Sequence, residues 1–362
     1  MISSIKIEGY RGFKSFEMSG LGRLNLLVGT NNSGKTSVLE ALYLLTSMGD
    51  PAALWNLLWR RGERLLGSPS SQMLELDVCH LFHGHETRIG SRFTLSATNE
   101  TPTRSVSFTI ADIKPTKRAE ETLFTETRPT GLNLLVRLDS NEASALPLTR
   151  AGGLSSDFGS SSRRLRRKKD FEGVPSQFIT AESLDSADLI GLWDKVALKP
   201  SETMVLKALQ FLDPNIERIA SQSLSNHFGN RGGFILKLKG RDQPVPIGSM
   251  GDGMWRMLAL AIAITQCQGG VLLVDEIDTG LHYTVMSDMW RLIFGAAREL
   301  DVQVFATTHS YDCIQSLASV CLSDQDSKNP VTLQRIESDK GKAIPYSERE
   351  IVVASDREIE VR

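Results

Sequence analysis

The chain has 362 residues and a mass of 39.9 kDa, which suffices for one large domain or two modest ones. Its 41% hydrophobic and 23% charged residues are typical of a globular protein and exclude a disordered or fibrous chain. The 41 Lys and Arg nearly balance the 43 Asp and Glu, giving a formal net charge of -2. Binding to nucleic acid or to an anionic membrane would therefore need a local basic patch.

The sequence predicts a cytoplasmic protein without a membrane span. Its most apolar stretch, residues 257–264, is far shorter than the roughly 20 residues that a membrane-spanning helix needs. The first residues show no basic segment followed by an apolar one, so secretion is not expected. The cysteines lie far apart without a C-x-x-C pair, which predicts buried free thiols in a reducing compartment and neither a disulfide nor a metal site. They are Cys79, Cys267, Cys313 and Cys321.

The first predicted elements are two short strands and a helix. The strands are residues 5–7 and 24–28, separated by the loop 9–13. A glycine-rich turn follows the second strand, and apolar residues then recur at a three-to-four spacing, which predicts a helix. These apolar residues are Val38, Leu39, Ala41, Leu42 and Leu45.

The middle of the chain has a different pattern. Residues 72–138 contain segments in which apolar and polar side chains alternate, such as 74–78 and 105–110, which predicts antiparallel strands in a β-rich lobe. Eight of the twelve residues 151–162 are Gly or Ser, which predicts a mobile loop. Six of the next seven residues are basic: Arg163, Arg164, Arg166, Arg167, Lys168 and Lys169.

The last part of the chain alternates between helices and strands. Helices are predicted at 187–196, 202–212, after Gly253 and at 285–298, and strands at 234–239, 271–274 and 302–306. This alternation predicts an α/β fold with a mainly parallel sheet flanked by helices, plus the antiparallel β-rich lobe. The predicted domains are an N-terminal part of the core at 1–50, an insert at 51–170 and a C-terminal part of the core at 171–362.

Residues 29–36 match the pattern G-x-x-x-x-G-K-[ST] between a predicted strand and a predicted helix. In such a phosphate-binding loop, backbone N–H groups face the phosphates, Lys35 reaches the β and γ phosphates, and the Thr36 hydroxyl holds Mg²⁺. A glycine-rich turn before a helix is the structural alternative. The predicted ATP-binding residues are Gly29, Asn31, Asn32, Ser33, Gly34, Lys35, Thr36 and Ser37.

Two adjacent carboxylates follow the apolar strand 271–274. An open α/β sheet binds its ligands at the carboxyl ends of its strands. Asp275 is therefore predicted to hold Mg²⁺ with Thr36, and Glu276 to orient and deprotonate the water that attacks ATP. Two surface acids without a catalytic role are the alternative.

Taken together, these segments resemble the ABC-type ATPases, and among them the RecF, SMC and OLD-like branch. Residues 5–13 (IKIEGYRGF) resemble its opening strand and arginine turn, and 249–253 (SMGDG) its signature motif. Residues 275–282 (DEIDTGLH) resemble the end of the Walker B strand and the D-loop, and 306–310 (ATTHS) the segment of the switch histidine. The closing residues 360–362 (EVR) are a weaker match. The segments occur in the family's order along nearly the whole chain.

The resemblance implies a homodimer that sandwiches ATP between its two copies. Ser249, Gly251 and Gly253 of one copy would bind the γ-phosphate that Lys35 and Thr36 of the other copy hold. The start of a helix at this place is compatible with an anion site. Without the resemblance, the same residues read as a helix-capping turn. A higher oligomer is also compatible with the sequence.

Further roles follow from the resemblance alone. His309 would lie beside Glu276 on a neighbouring strand end and contact the γ-phosphate. Asp278 and His282 would lie near the dimer seam. Arg11 would contact a phosphate of nucleotide or DNA, or else be an ordinary exposed turn residue.

Two family features are not placed by the sequence. The glutamine loop has two candidates, Gln72 and Gln177. The roughly 210 residues between Thr36 and Ser249 hold no sustained heptads, which excludes a long coiled-coil arm.

The expected function is that of an ATP-driven dimer of the OLD or RecF-like type that acts on DNA or on a separately encoded effector such as a nuclease. The basic residues 163–169 would contact a DNA backbone, or else form a solvated loop. No TOPRIM-like nuclease region is expected after His309, and many relatives of this layout serve in anti-phage defence. The alternatives left open are a RecF-like repair ATPase, a nucleotide-binding subunit of a transporter and a structural protein that does not hydrolyse ATP.

Overall fold

The strands and helices follow from the alternation of apolar runs in the sequence, and a computed structural model gives their bounds. It describes residues 1–65, 75–99, 103–112, 131–139, 141, 143–149, 151–155, 173–182, 184–222, 233–323 and 330–361. The strands are β1 Ile2–Tyr10, β2 Phe13–Ser19, β3 Leu24–Val28, β4 Glu75–Asp77, β5 Arg92–Asn99, β6 Arg104–Asp112, β7 Leu132–Leu138, β8 Ser144–Pro147, β9 Gly153–Ser155, β10 Ser176–Ile179, β11 Ile216–Ser221, β12 Phe234–Leu238, β13 Val245–Pro246, β14 Val271–Val274, β15 Gln303–Thr307, β16 Val331–Glu337 and β17 Lys342–Ser347. The helices are α1 Lys35–Thr46, α2 Pro51–Arg60, α3 Ser186–Trp193, α4 Pro200–Gln210, α5 Asp252–Thr265, α6 Tyr283–Glu299, α7 Tyr311–Ser323 and α8 Glu348–Asp356.

One sheet of 12 strands dominates the fold, in the order β10-β14-β15-β3-β16-β17-β2-β1-β5-β6-β7-β8. The five strands from β10 to β16 are parallel to one another. From β2 to β8 each neighbouring pair is antiparallel. Two small sheets, β11-β12-β13 and β4-β9, complete the structure. The predicted α/β class, with a parallel region and an antiparallel region, is confirmed.

The predicted antiparallel strands extend the main sheet. Strand β1 is nine residues long, and both of its edges are paired, one with β2 and the other with β5. Ile7 of β1 lies opposite Leu95 of β5. Strands β5 to β7 of the β-rich segment therefore belong to the same sheet as β3, the strand that leads into the phosphate loop.

The central strands separate two hydrophobic cores. Alternate side chains of a strand point to opposite faces, so Leu24, Leu26 and Val28 of β3 pack on one face while Leu27 packs on the other. Helices α3 to α8 cover the first face, and α1 and α2 cover the second. Strands β3, β14 and β15 are buried at every position, and burial on both faces explains why most of their residues are apolar.

The thiols agree in part with the sequence prediction. Cys267, Cys313 and Cys321 are buried, and all four cysteines are free. Burial raises the pKa of the Cys267 and Cys321 thiols to about 12. Cys79 is only half-buried, which differs from the prediction. None of the described helices combines the length and apolarity that crossing a bilayer would require.

Candidate functional site

The glycine-rich loop connects the carboxyl end of β3 to the first turn of α1, as predicted. Gly29 has a φ of +146°, and a Cβ there would lie 3.1 Å from the carbonyl oxygen of Ile336. Gly34 has a φ of +91°, and a Cβ there would overlap the ring of Phe13. Both positions therefore need glycine, for backbone conformation and for space.

The loop offers two kinds of phosphate-binding donor, the first N–H groups of α1 and the ammonium group of Lys35. Gly34 has no side chain to cap α1, so the first N–H groups of that helix remain available to an anion. Lys35 Nζ lies over the loop and donates to the carbonyl oxygens of Gly29 and Thr30 at 2.8 and 2.9 Å. The pKa of Lys35 is lowered, because the effect of burial exceeds the opposing effect of the carboxylates of Asp275 and Glu276. Among the predicted loop residues, Asn31 and Asn32 are exposed, Ser33 is buried, and Thr36 and Ser37 are half-buried.

Asp275 connects the loop to the end of β14. Its Oδ2 accepts a hydrogen bond from Thr36 Oγ1 at 2.9 Å, and its Oδ1 accepts one from Thr307 Oγ1 at 2.6 Å. A hydroxyl and a carboxylate at this distance form an all-oxygen donor set of the kind that Mg²⁺ prefers. The two residues predicted as metal ligands are thus brought together and fit that ion.

Glu276 has an unusual backbone conformation for a side chain of its size. Its φ is +46°, in the left-handed region that costs a non-glycine residue about 1 kcal/mol or more. Its N–H donates to Thr307 Oγ1 at 2.8 Å, and its Oε2 accepts from Thr279 Oγ1 at 3.2 Å. Hydrogen bonds to both its backbone and its side chain therefore hold Glu276 in this conformation.

Arg256 on α5 supplies the strongest support for that conformation. The side chain is buried, and its Nη2 donates to the carbonyl oxygens of Asp275 and Glu276 at 2.7 and 2.8 Å. Its Nη1 donates to the carbonyl oxygen of Thr180 at 2.7 Å. Burial lowers the pKa of Arg256 to about 10, so the guanidinium stays charged at neutral pH. One side chain therefore joins α5 to the ends of β10 and β14.

His309 lies at the surface beyond the end of β15. Strand β15 is the parallel neighbour of β14, with Ala306 opposite Val274, so His309 and Glu276 follow adjacent strand ends as predicted. The preceding Thr308 is buried and donates to Asp278 Oδ1 at 2.6 Å. The segment before the histidine is thereby tied to the predicted D-loop.

The predicted signature segment lies at the same edge of the sheet but on the opposite face from α1. Ser249 and Gly251 are exposed, and the segment leads into α5, which packs in the first core. A Cβ at Gly253 would lie 3.0 Å from the carbonyl oxygen of Gly280, so the D-loop touches the start of α5. His282 of the D-loop is exposed. In one chain, the signature segment and the phosphate loop thus lie on different faces of the sheet.

Of the two interpretations of Arg11 made from the sequence, that of an exposed turn residue is wrong. The side chain is buried in the turn between β1 and β2, with its Nε 2.6 Å from Glu40 Oε2 and its Nη1 2.6 Å from Glu63 Oε1. It is not an exposed turn residue, because two carboxylates take up its charge. These groups belong to α1 and the segment after α2, and they link the turn to the helix of the phosphate loop.

Other predicted features remain without a structural account. Gln72 and the basic residues 163–169 lie outside the described residues. Gln177 lies in β10, opposite Leu272 of β14, and is half-buried. Neither glutamine is assigned as the glutamine loop.

Three residues of the site were not predicted from the sequence: Arg256, Thr307 and Thr308. Thr307 ends strand β15 and Thr308 follows it, and two hydroxyls at a buried strand end are a signal that could have been used. Arg256 is the one charged residue among the apolar residues 254–264 of α5, where an unpaired charge would be costly.

Comparisons with known proteins identify the family of the chain. Residues 24–312 match the family described as "AAA domain, putative AbiEii toxin, Type IV TA system". An "ATP/GTP phosphatase" of Helicobacter pylori is 24% identical over 375 residues, which cover 95% of each chain. The DNA replication and repair protein RecF of Acinetobacter baylyi is 46% identical over 46 residues, 13% of each chain.

A solved SMC head bound to the C-winged helix domain of ScpA superposes with a TM-score of 0.50 at 13% identity. The superposition covers 96% of this chain and 97% of that one, and it supports the fold. The family match covers most of the chain, from β3 to the start of α7. The chain therefore belongs to this AAA-domain family, and its predicted resemblance to the ABC-type ATPases of the RecF and SMC-like branch is confirmed.

Proposed function

We propose that this chain hydrolyses ATP as a homodimer of the OLD and RecF-like type, and that the dimer acts as a switch or scaffold on DNA or on a partner nuclease. The observation that carries the proposal is the 2.9 Å hydrogen bond from Thr36 Oγ1 to Asp275 Oδ2, which joins residues 239 positions apart. It brings the phosphate loop and the two carboxylates Asp275 and Glu276 to one place. A role in anti-phage defence is part of this proposal.

Each group of the site has its own role in phosphoryl transfer. The first N–H groups of α1 and the ammonium of Lys35 bind the β and γ phosphates. Thr36 and Asp275 would hold Mg²⁺, which when bound neutralises charge on the phosphate oxygens. Glu276 orients the attacking water and accepts its proton, and His309 contacts the γ-phosphate from the neighbouring strand end.

The placement of the signature segment and the phosphate loop on different faces of the sheet supports the proposed dimer. The signature segment is exposed, and Gly251 has a φ of +90°, with no described atom within 4 Å of the place where a Cβ would lie. Like α1, helix α5 begins after a glycine and so offers uncapped N–H groups to an anion. Two copies related by a two-fold axis would bring the α5 terminus of each to the ATP of the other.

We expect Ser249→Arg to prevent the ATP-dependent dimer while the monomer keeps its fold. Ser249 is exposed, so the free energy of unfolding should change by no more than about 0.5 kcal/mol. An arginine there would fill the space that the partner's phosphates need. Light scattering in the presence of ATP measures whether the chain has the mass of a monomer or of a dimer. The chain also carries Glu276→Gln, which blocks turnover of the ATP. Ser319→Arg on the exposed side of α7 is the matched control and should still dimerise. A Ser249→Arg chain that dimerises equally well would contradict the sandwich.

We expect duplex DNA to stimulate ATP hydrolysis by the wild-type chain, with Lys35→Ala as the blank. The stimulation should weaken with salt, because backbone contacts release counterions. Replacing the six basic residues at 163–169 by Gln should lower the slope of log affinity against log salt by up to about 5. If DNA does not change the rate of ATP hydrolysis, a protein partner and not DNA would be the target of the dimer. An unchanged slope would remove this basic run from DNA binding.

A further inference from the structure

A group of metal-ligating side chains lies outside the nucleotide site, in the loop between β4 and β5. Asp77 ends β4, and a short 3₁₀ turn, Cys79–Leu81, follows it. Three of the six histidines of the chain lie here, at positions 80, 83 and 85. No step of ATP hydrolysis uses these residues.

Three of these side chains converge. Asp77 Oδ2 lies 3.0 Å from Cys79 Sγ and 3.8 Å from His80 Nε2. One ligand atom from each residue lies within 4.8 Å of the other two. Ligands around a tetrahedral Zn²⁺, with bonds of about 2.0 to 2.3 Å, are separated by about 3.3 to 3.5 Å. The two separations from Asp77 Oδ2 lie within about 0.5 Å of these values, and the third is no more than 4.8 Å.

A fourth residue orients the histidine. His80 Nδ1 lies 3.2 Å from His85 Nδ1, so the ring nitrogen of His80 that faces away from Asp77 has a partner. Histidines that bind a metal usually hold their second nitrogen in this way, which fixes the ring and its tautomer. His85 has a φ of +58°, a conformation that non-glycine residues adopt infrequently. The backbone thus places His85 behind His80.

The backbone of the loop is held in place independently of any ion. The N–H of Cys79 donates to Asp77 Oδ1 at 2.8 Å, which leaves Oδ2 directed at the other two ligands. The N–H of Asp77 donates to the carbonyl oxygen of Glu63 at 2.9 Å. The ligands are therefore arranged before binding, which lowers the entropic cost of capturing an ion.

We propose that Asp77, Cys79 and His80 bind a divalent transition-metal ion of the Zn²⁺ class, with His85 as a positioning residue. The mixed sulfur, nitrogen and oxygen set selects Zn²⁺ or its neighbours over Mg²⁺ and Ca²⁺, which prefer oxygen alone. Three protein ligands leave one position for water or another ligand. The proposal is independent of how the chain uses ATP.

The site would stabilise the arginine turn. The N–H of Arg11 donates to the carbonyl oxygen of Leu81 at 2.9 Å, and the N–H of His83 donates to that of Gly9 at 2.9 Å. His83 Nδ1 lies 3.0 Å from the carbonyl oxygen of Arg11. An ion that fixes the loop therefore also fixes the turn, and through Glu40 the helix of the phosphate loop.

The test uses the untagged full chain after removal of metals with a chelator. Zn²⁺ alone is titrated against a chromophoric chelator, and Co²⁺ alone is followed by absorption. We expect one ion per chain and a thiolate-to-cobalt charge-transfer band. Cys79→Ser should abolish the band and weaken binding about 100-fold or more, and His85→Ala should weaken it about 10- to 100-fold. Cys321→Ser, which removes a thiol elsewhere, should change neither.

Two results would overturn the proposal. One is a wild-type chain that binds Co²⁺ without the thiolate band or does not bind it at all. The other is a Cys79→Ser chain that keeps its circular dichroism spectrum and binds Zn²⁺ as tightly as the wild type. In that case only adventitious surface binding would be present.

Discussion

Glu276→Gln is expected to lower the turnover of ATP by about 100- to 10,000-fold, the usual contribution of a general base, while ATP binding persists. Glutamine keeps the size of the side chain but accepts no proton at neutral pH. Steady-state hydrolysis and equilibrium binding of ATP measure the two effects separately. Glu299→Gln, at the exposed end of α6, makes the same change in charge and should leave turnover unchanged.

The surroundings of Glu276 make this test specific. Thr279 occupies only Oε2, so Oε1 is not engaged by that hydroxyl and can orient a water. The backbone contacts of Glu276 with Thr307 and Arg256 do not involve the carboxylate, and the substitution should leave them intact. Unchanged turnover in a folded Glu276→Gln chain would exclude this residue as the base.

Arg256→Met is expected to cost about 3 to 5 kcal/mol of unfolding free energy and most of the ATPase activity. The substitution leaves three partly buried carbonyl oxygens, those of Thr180, Asp275 and Glu276, without the guanidinium that they share. Each unsatisfied buried acceptor costs about 1 to 3 kcal/mol, and relaxation recovers part of the sum. Without Arg256, the left-handed conformation of Glu276 also loses its main support.

Urea unfolding and the turnover number measure these two effects. Arg291→Met is the matched control, because Arg291 is an exposed arginine of α6 paired with Asp288, and it should change stability by less than about 1 kcal/mol. Arg256→Lys should recover stability only in part, since a single ammonium does not span three carbonyls as a planar guanidinium does. An Arg256→Met chain with wild-type stability and turnover would contradict a positioning role.

The local parts of the site were predictable from sequence because their chemistry is encoded in consecutive residues. The phosphate loop needs glycine at 29 and 34 for conformation and space, and β14 needs an apolar run before Asp275. Both patterns are short and specific. The order β14-β15 also follows from alternation of strands and helices, which places His309 beside Glu276.

The remaining features depend on contacts between distant parts of the chain. Arg256 reaches β10 and β14, and no pattern within α5 states which carbonyls it binds. Strand β1 pairs with β5 along the edge that β2 leaves open, and this pairing joins the β-rich segment to the main sheet. The alternation of apolar and polar side chains predicts strands but does not specify which strands pair. Arg11 finds Glu40 and Glu63 only when α1 and the segment after α2 pack against the turn.

The placement of α1 and α5 on opposite faces of the sheet has a consequence for enzyme kinetics. If each ATP needs the start of α1 from one copy and the start of α5 from another, an isolated chain binds ATP but completes no catalytic site. Below the dissociation constant of the dimer, the rate per chain then rises in proportion to the chain concentration. The amount of protein in the cell would therefore act as a threshold on ATP consumption.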